Sequence, residues 1–238
     1  MKKYILMFSI IYFYNNYYVA AQSRISVNYS TTFYGEVFSK GSSKESQAVV
    51  SSTKGTEEAI KKLNFKLTIN DNRSIFSSQQ ELEKDGETLG EKMGKMVAGY
   101  DEIFYRDLNL KILICEREIA FKTYKINENY NNFIWDYTSE EKIIQGYKCY
   151  LAKTKLLHLD VFAWYCPTLP YSFGPREFGG LPGLILELQR GKLVFLATKI
   201  NFNNVEDVGF EAENIKTISR TEINKIIEKD RENFMNGN

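Results

Sequence analysis

Along this chain apolar and polar residues alternate far more often than they recur at helical spacing. Arg24 to Val37 sets Ile25, Val27 and Tyr29 against Ser26, Asn28 and Ser30, the period of a half-buried strand. Phe65-Lys66-Leu67-Thr68-Ile69 repeats the pattern, Asn70-Asp71-Asn72 supplies turn chemistry, and Arg73 to Gln79 reads as the returning strand. From Glu102 onward strands dominate. Leu110 to Glu116, Ala120 to Ile126 and Phe133 to Tyr137 are short and rich in aromatic and β-branched residues. Tyr147 to Ala152 and Val161 to Cys166 pair as a hairpin turning near Leu157-His158-Leu159, and Leu184 to Leu188 and Lys192 to Ile200 flank a turn at Arg190-Gly191.

Helical periodicity is strong only at the C-terminus. Ser219 and Glu222 have capping-box spacing, and Ile223, Ile226, Ile227 and Phe234 follow as an apolar stripe. That helix is expected to lie across one face of the sheet. Ser39 to Gly55 reads as a polar connection with a little helix beside it. Gln80 to Gly99, with Gly86, Gly90, Gly94 and Gly99, reads as an excursion on the surface. The expected class is mainly β with helices (α+β), in one β-rich domain over residues 22–238.

Composition sharpens one segment above all. All four prolines fall between Pro167 and Pro182, within Trp164 to Glu187, together with Gly174, Gly179, Gly180 and Gly183 and the aromatics Tyr165, Tyr171, Phe173 and Phe178. Proline fixes φ and removes a donor while glycine admits φ > 0, so this stretch specifies one shaped loop. Trp164, Tyr165, Tyr171, Phe173, Arg176 and Phe178 are the candidate binding residues. For Arg176 the residue pattern favours a structural role, satisfying loop carbonyls that no sheet ladder pairs, over contact with an anion.

The first residues are expected to be a cleavable signal peptide, residues 1–21. Lys2 and Lys3 precede the apolar run Tyr4 to Tyr14, and Val19-Ala20-Ala21 puts small residues at a cleavage site before Gln22. The run is shorter than the roughly 20 apolar residues of a membrane span. Cleavage near Ala21 makes the chain periplasmic or secreted, without a transmembrane segment. Losing residues 1–21 takes away Lys2 and Lys3 and no acid, so 31 basic residues become 29 against 30 acids. No strongly basic tract remains, which argues against nucleic-acid binding.

Chemistry-bearing motifs are sparse. Cys115, Cys149 and Cys166 are an odd number in an oxidising compartment. Cys149 and Cys166 flank the predicted hairpin and are a candidate disulfide, with three buried thiols the equal alternative. His158 is the only histidine and sits in a predicted turn. No spacing suggests a zinc site or a phosphate loop, and Met93 and Met96 read as gap-fillers rather than copper ligands. No metal or cofactor is expected, and no pair of carboxylates stands out.

Gly180-Leu181-Pro182-Gly183-Leu184-Ile185 spells the name of the GLPGLI family, exported proteins of Gram-negative bacteria, which the chain resembles from Trp135 to Glu187. The resemblance rests also on Trp135, Ile144-Gln145-Gly146-Tyr147-Lys148-Cys149, Ala152, Ala163-Trp164-Tyr165, Pro170, Gly174-Pro175 and Phe178-Gly179. Cys166 departs from it, standing where the family has threonine. The family brings no established activity and no catalytic residues. It implies a curved antiparallel sheet or half-barrel with covering helices, similar by analogy to periplasmic lipoprotein carriers. In that frame Gly174, Pro175, Gly179, Gly180, Leu181, Pro182, Gly183, Leu184 and Ile185 form the structural motif.

The functional expectation is an exported, non-enzymatic binding protein of the bacterial envelope. Its partner would be a lipid or small apolar ligand, recognised through residues 164–185. An accessory protein of an outer-membrane assembly, bound to an outer-membrane protein, is the alternative. A carboxylate-dependent hydrolase is the third reading.

Overall fold

A computed structural model describes residues 24–34, 47–79, 86–119, 121–128, 130, 133–203, 205–209 and 216–235. The expected signal peptide lies outside the described residues. Within them the chain forms twelve strands and three helices. The N-terminal half contains β1 (Arg24–Phe33), α1 (Gln47–Ile60), β2 (Asn64–Asn70), β3 (Arg73–Ser78), α2 (Leu89–Ala98), β4 (Ile103–Asp107), β5 (Ile112–Ile119) and β6 (Lys122–Glu128). The C-terminal half contains β7 (Asp136–Ile144), β8 (Tyr147–Leu156), β9 (Leu159–Cys166), β10 (Leu184–Arg190), β11 (Leu193–Asn201), β12 (Ile218–Ser219) and α3 (Arg220–Met235).

All twelve strands share one sheet in the order β12-β6-β5-β4-β3-β2-β1-β11-β10-β9-β8-β7. Two antiparallel meanders meet where β1 pairs with β11, and only β12 runs parallel to its neighbour. The chain must then pass from β6 to β7 at the opposite edge through residues 129–135 alone. Ten interstrand spacings laid flat would separate those strands by about 48 Å. Eight extended residue steps span at most about 29 Å. The sheet is therefore strongly curved and remains open, since β7 and the β6–β12 pair do not meet in a ladder.

The core fills the hollow of this curve. Tyr29 of β1, Phe65 of β2, Phe76 of β3 and Phe195 of β11 are fully or almost fully buried and touch ring to ring, with Phe65 stacked on Phe76 at 5.4 Å. The Tyr29 hydroxyl donates to the Ile185 carbonyl at 2.7 Å, tying β1 to the end of the proline-rich loop.

The helices differ from expectation in informative ways. Residues 89–98 are a helix, not an irregular excursion. Thr88 and Glu91 form a reciprocal capping box at its start, and Gly99 ends it in the left-handed region. Its glycines are where α1 comes close. A Cβ on Gly90 would stand 2.8 Å from the Gly55 carbonyl carbon, and one on Gly94 would stand 2.8 Å from Ala59 Cβ. Small residues four apart thus let the two helix backbones approach closely. The C-terminal helix begins at the expected Ser219–Glu222 box. It buries only its first turn, however, with Ile223 inside and Ile227 exposed, so it props the β6 edge rather than covering a face.

Most of the expected strands form. Two sequence expectations miss. Ile103–Asp107 forms β4, one strand before the first expected member of this series. Of the expected strand at Phe133–Tyr137, residues 133–135 are crossover and only Asp136 and Tyr137 are extended in a ladder, as the start of β7. As an edge strand β7 is polar on both faces, so alternation marks it poorly.

Candidate functional site

Residues 167–183, between β9 and β10, turn inward and plug the hollow. The loop satisfies much of its own backbone. Leu184 N donates to Leu169 O at 2.9 Å, Gly180 N to Ser172 O at 3.1 Å, and Ile185 N to Phe173 O at 3.0 Å. The crossover from β6 lies against it: Phe133 stacks on Phe178 at 4.8 Å, and Trp135 Nε1 donates to Gly179 O at 3.1 Å.

Three glycines of the motif answer to close contacts and one to backbone conformation. A Cβ on Gly174 would meet Ile185 Cδ1 at 2.6 Å, one on Gly179 would meet Ser172 O at 2.7 Å, and one on Gly183 would meet Cys166 O at 2.2 Å. Gly180 has φ +81°. Leu181, Leu184 and Ile185 are buried, Pro175 is buried with its carbonyl accepting from Phe178 N, and Pro182 is exposed.

The six candidate binding residues do not come together on one surface. Phe173 and Phe178 are in the core, and Tyr171 packs half-buried against it. Successive residues of β9 face opposite sides of the sheet. Tyr165 lies buried beside Tyr137 and Tyr150, whereas Trp164 lies on the other side with Lys142 Nζ 4.3 Å from its ring centre. The β8–β9 register ends with Tyr150 opposite Tyr165, the residues next to Cys149 and Cys166. Both are nevertheless free, buried thiols. Cys149 Sγ is turned toward the Tyr147 carbonyl and Cys166 Sγ toward Thr168 Oγ1 at 3.0 Å. Burial pushes the Cys149 thiol up to about 12, so it is not a thiolate at neutral pH.

Arg176 is the pivot of a charged cluster under the plug. It sits at φ +56°, in the left-handed region, with its side chain 7% exposed. Its three nitrogens reach three groups: Nη1 donates to Ala98 O at 3.0 Å, Nη2 to Glu102 Oε2 at 2.5 Å, and Nε to Glu177 Oε2 at 3.2 Å. The expected structural role is observed in part, because the carbonyl it satisfies belongs to the end of α2 rather than to the loop. Arg190 approaches the other Glu177 oxygen at 3.4 Å, and Arg106, buried beside Tyr130, donates to the Glu177 carbonyl. Burial pushes the Glu177 carboxyl up, but the guanidiniums of Arg176 and Arg190 outweigh it and hold the group below the usual range. For Glu128 burial wins despite Arg220 at 2.8 Å, and the carboxyl is raised.

Beside this cluster a cavity of about 560 Å³ opens, its apolar wall made by Val97, Phe104, Leu113, Phe133 and Leu156. Arg176 and Glu177 form part of its lining, so the loop takes part in the cavity through its charged residues and not its aromatic ones. Sequence reading missed Glu102, Arg117, Glu128 and Arg190. They stand on three different strands and the residue before β4, and no local spacing links them. Among the described residues no group of three or more His, Cys, Asp or Glu is placed to hold a metal ion, and no helix is long and apolar enough to cross a membrane.

The cluster makes stability pH-dependent. Since the Glu177 carboxyl is lower in the folded than in the unfolded chain, its contribution is present above the ordinary carboxylate range near pH 4 and is lost as pH falls through the folded value. Melting temperature followed from pH 7 to pH 3 should fall less steeply for Glu177→Gln than for the parent chain, although the variant starts lower. An equal slope would show that Glu177 is not the group responsible.

Residues 157–187 match the model of a protein family of unknown function, Porph_ging. No curated protein matches the chain. Among solved structures the fold is similar to that of PNGF-II. Its P21 crystal form aligns with a TM-score of 0.57 at 16% identity over 88% of this chain, and its C2 form with 0.57 at 17% over 88%. The chain spans about a third of PNGF-II, 34% and 33% of that chain in the two forms. At such identity the likeness is one of fold.

Proposed function

We propose that this protein is an exported, non-enzymatic binding protein of the bacterial envelope whose ligand enters the hollow of the curved sheet. The observation that carries this reading is the cavity of about 560 Å³, in which an apolar wall of Val97, Phe104, Leu113, Phe133 and Leu156 faces charged side chains. Cavities of this size and lining suit small apolar or amphiphilic molecules. The resemblance to the GLPGLI family and the signal-like start of the sequence support export, and the half-barrel is similar by analogy to periplasmic lipoprotein carriers. In this reading the rigid plug of residues 167–183 shapes the cavity and supplies Arg176 and Glu177 to its lining. A pre-shaped wall loses little entropy when a ligand arrives.

A second reading, an accessory protein of an outer-membrane assembly, draws on the apolar tips around the sheet. Phe121 is 100% exposed and Leu157 88%. Recovery of the full chain from its native envelope, followed by native mass spectrometry, separates the two. A bound small molecule released on unfolding is expected. A stoichiometric membrane protein without a small molecule would favour the accessory reading and overturn the first. The hydrolase reading has less support, because Glu102, Glu128 and Glu177 each stand in an ion pair with an arginine.

A further inference from the structure

The cavity walls carry four arginines, Arg117, Arg176, Arg190 and Arg220, against three glutamates, Glu102, Glu128 and Glu177. The pairing is uneven. Glu102 is taken by Arg176 at 2.5 Å, Glu177 by Arg176 and Arg190, and Glu128 by Arg220 at 2.8 Å. Arg117 is left over. Its nearest carboxylate oxygen, Glu102 Oε1, is 3.6 Å away, beyond hydrogen-bond length. Its Nε is buried and has no partner among the described residues. A guanidinium has five N–H donors, and burying one unpaired is unfavourable.

The position of Arg117 gives this surplus charge a use. Leu113, Cys115 and Arg117 alternate along β5 and so face the same side, toward Phe104 and Val97. A second cavity, of about 780 Å³ and rimmed by Phe121 and Ile227, meets the first at Met96, Glu102 and Arg117. Arg117 therefore stands where the two cavities meet, on the same side as the apolar wall of the first.

We propose that Arg117 is the anchor for the acidic headgroup of a single-chain amphiphile whose alkyl chain lies along the apolar wall of the first cavity. This rests on the binding-protein reading above and names its ligand class. A planar guanidinium suits carboxylate and phosphate alike through paired N–H donors. The chain supplies most of the affinity, and the headgroup sets polarity and orientation.

Calorimetric titration of the full chain with octanoate, decanoate and dodecanoate tests this, alongside methyl dodecanoate, dodecyl phosphate and dodecyltrimethylammonium. Affinity should rise about fourfold for each added methylene until the apolar wall is covered. The acid should bind more than about tenfold tighter than its ester or the cation. Dodecyl phosphate against dodecanoate tells which acid is preferred. Arg117→Gln should abolish the preference for acid over ester while keeping the parent's ester affinity, and Arg117→Lys should restore part of it. Equal affinity for acid, ester and cation would overturn the headgroup assignment and leave the apolar-binding reading standing. So would an undiminished acid preference in Arg117→Gln. Absence of binding by every amphiphile would overturn both.

Discussion

Arg176→Ala should lose about 3–5 kcal/mol of stability, the range seen when one partner of a buried ion pair is removed. With only about 5–15 kcal/mol in hand for a typical domain, the variant should populate the unfolded state at temperatures where the parent is native. The reason is the number of groups stranded. Of their arginine contacts, Glu177 would keep only the 3.4 Å one to Arg190 and Glu102 only the loose 3.6 Å one to Arg117, and Ala98 O would lose its side-chain donor. Arg176→Lys should recover only part of this, because one ammonium cannot reproduce three donors diverging from a planar fork. Arg176→Gly separates backbone from side chain. At φ +56° the native backbone is unfavourable for any residue with a Cβ, by about 1–2 kcal/mol. Glycine should therefore be less damaging than alanine by about that much. Urea unfolding of the four proteins gives the comparison. Equal stability of Arg176→Ala and the parent would mean that the carboxylates relax into solvent.

Gly183→Ala should cost about 3 kcal/mol or more, although it adds a single methyl. The new atom would lie 2.2 Å from Cys166 O, 2.5 Å from Cys166 C and 2.8 Å from Pro167 N, all backbone atoms that no rotamer change can move. Relief requires the two ends of the plug to part, which threatens the hydrogen bond from Leu184 N to Leu169 O. Overpacking alone costs about 1–3 kcal/mol and each lost hydrogen bond about 1 more. Gly146→Ala is the matched control. It has φ +82° but nothing within 4 Å of the added atom, so about 1–2 kcal/mol is expected. Pro182→Ala, at an exposed position, should change stability by less than about 1 kcal/mol. If Gly183→Ala unfolds no more readily than Gly146→Ala, close approach is not what this glycine provides.

The plug shows how unevenly function can be read from composition. Tyr171 to Phe178 looks like a contact surface because aromatic residues crowd a loop, and loops commonly lie outside. Here Phe173 lies in the core, and Phe178 is buried where the crossover from β6 brings Phe133 and Trp135 against it. The helix at 89–98 differs from the sequence expectation for a related reason. Two glycines inside it argue against a helix by propensity, yet Gly90 and Gly94 are required where α1 comes close. The Thr88–Glu91 box was legible and outweighs that argument.

The features legible along the chain are local: the alternating strands, the Ser219–Glu222 cap, the hairpin turns and the existence of one rigid loop at 167–183. Period, turn chemistry and the fixed φ of proline act over a few residues, so they can be read in order along the chain. Only the tertiary structure decided what that loop faces. The short path from β6 to β7 forces the sheet to curve. Curvature then brings Glu102, Arg117, Glu128, Arg176, Glu177 and Arg190 around one cavity, and leaves Arg117 the one poorly paired charge among them. Coulomb interaction and desolvation act through space, and neither leaves a mark at any spacing in the sequence.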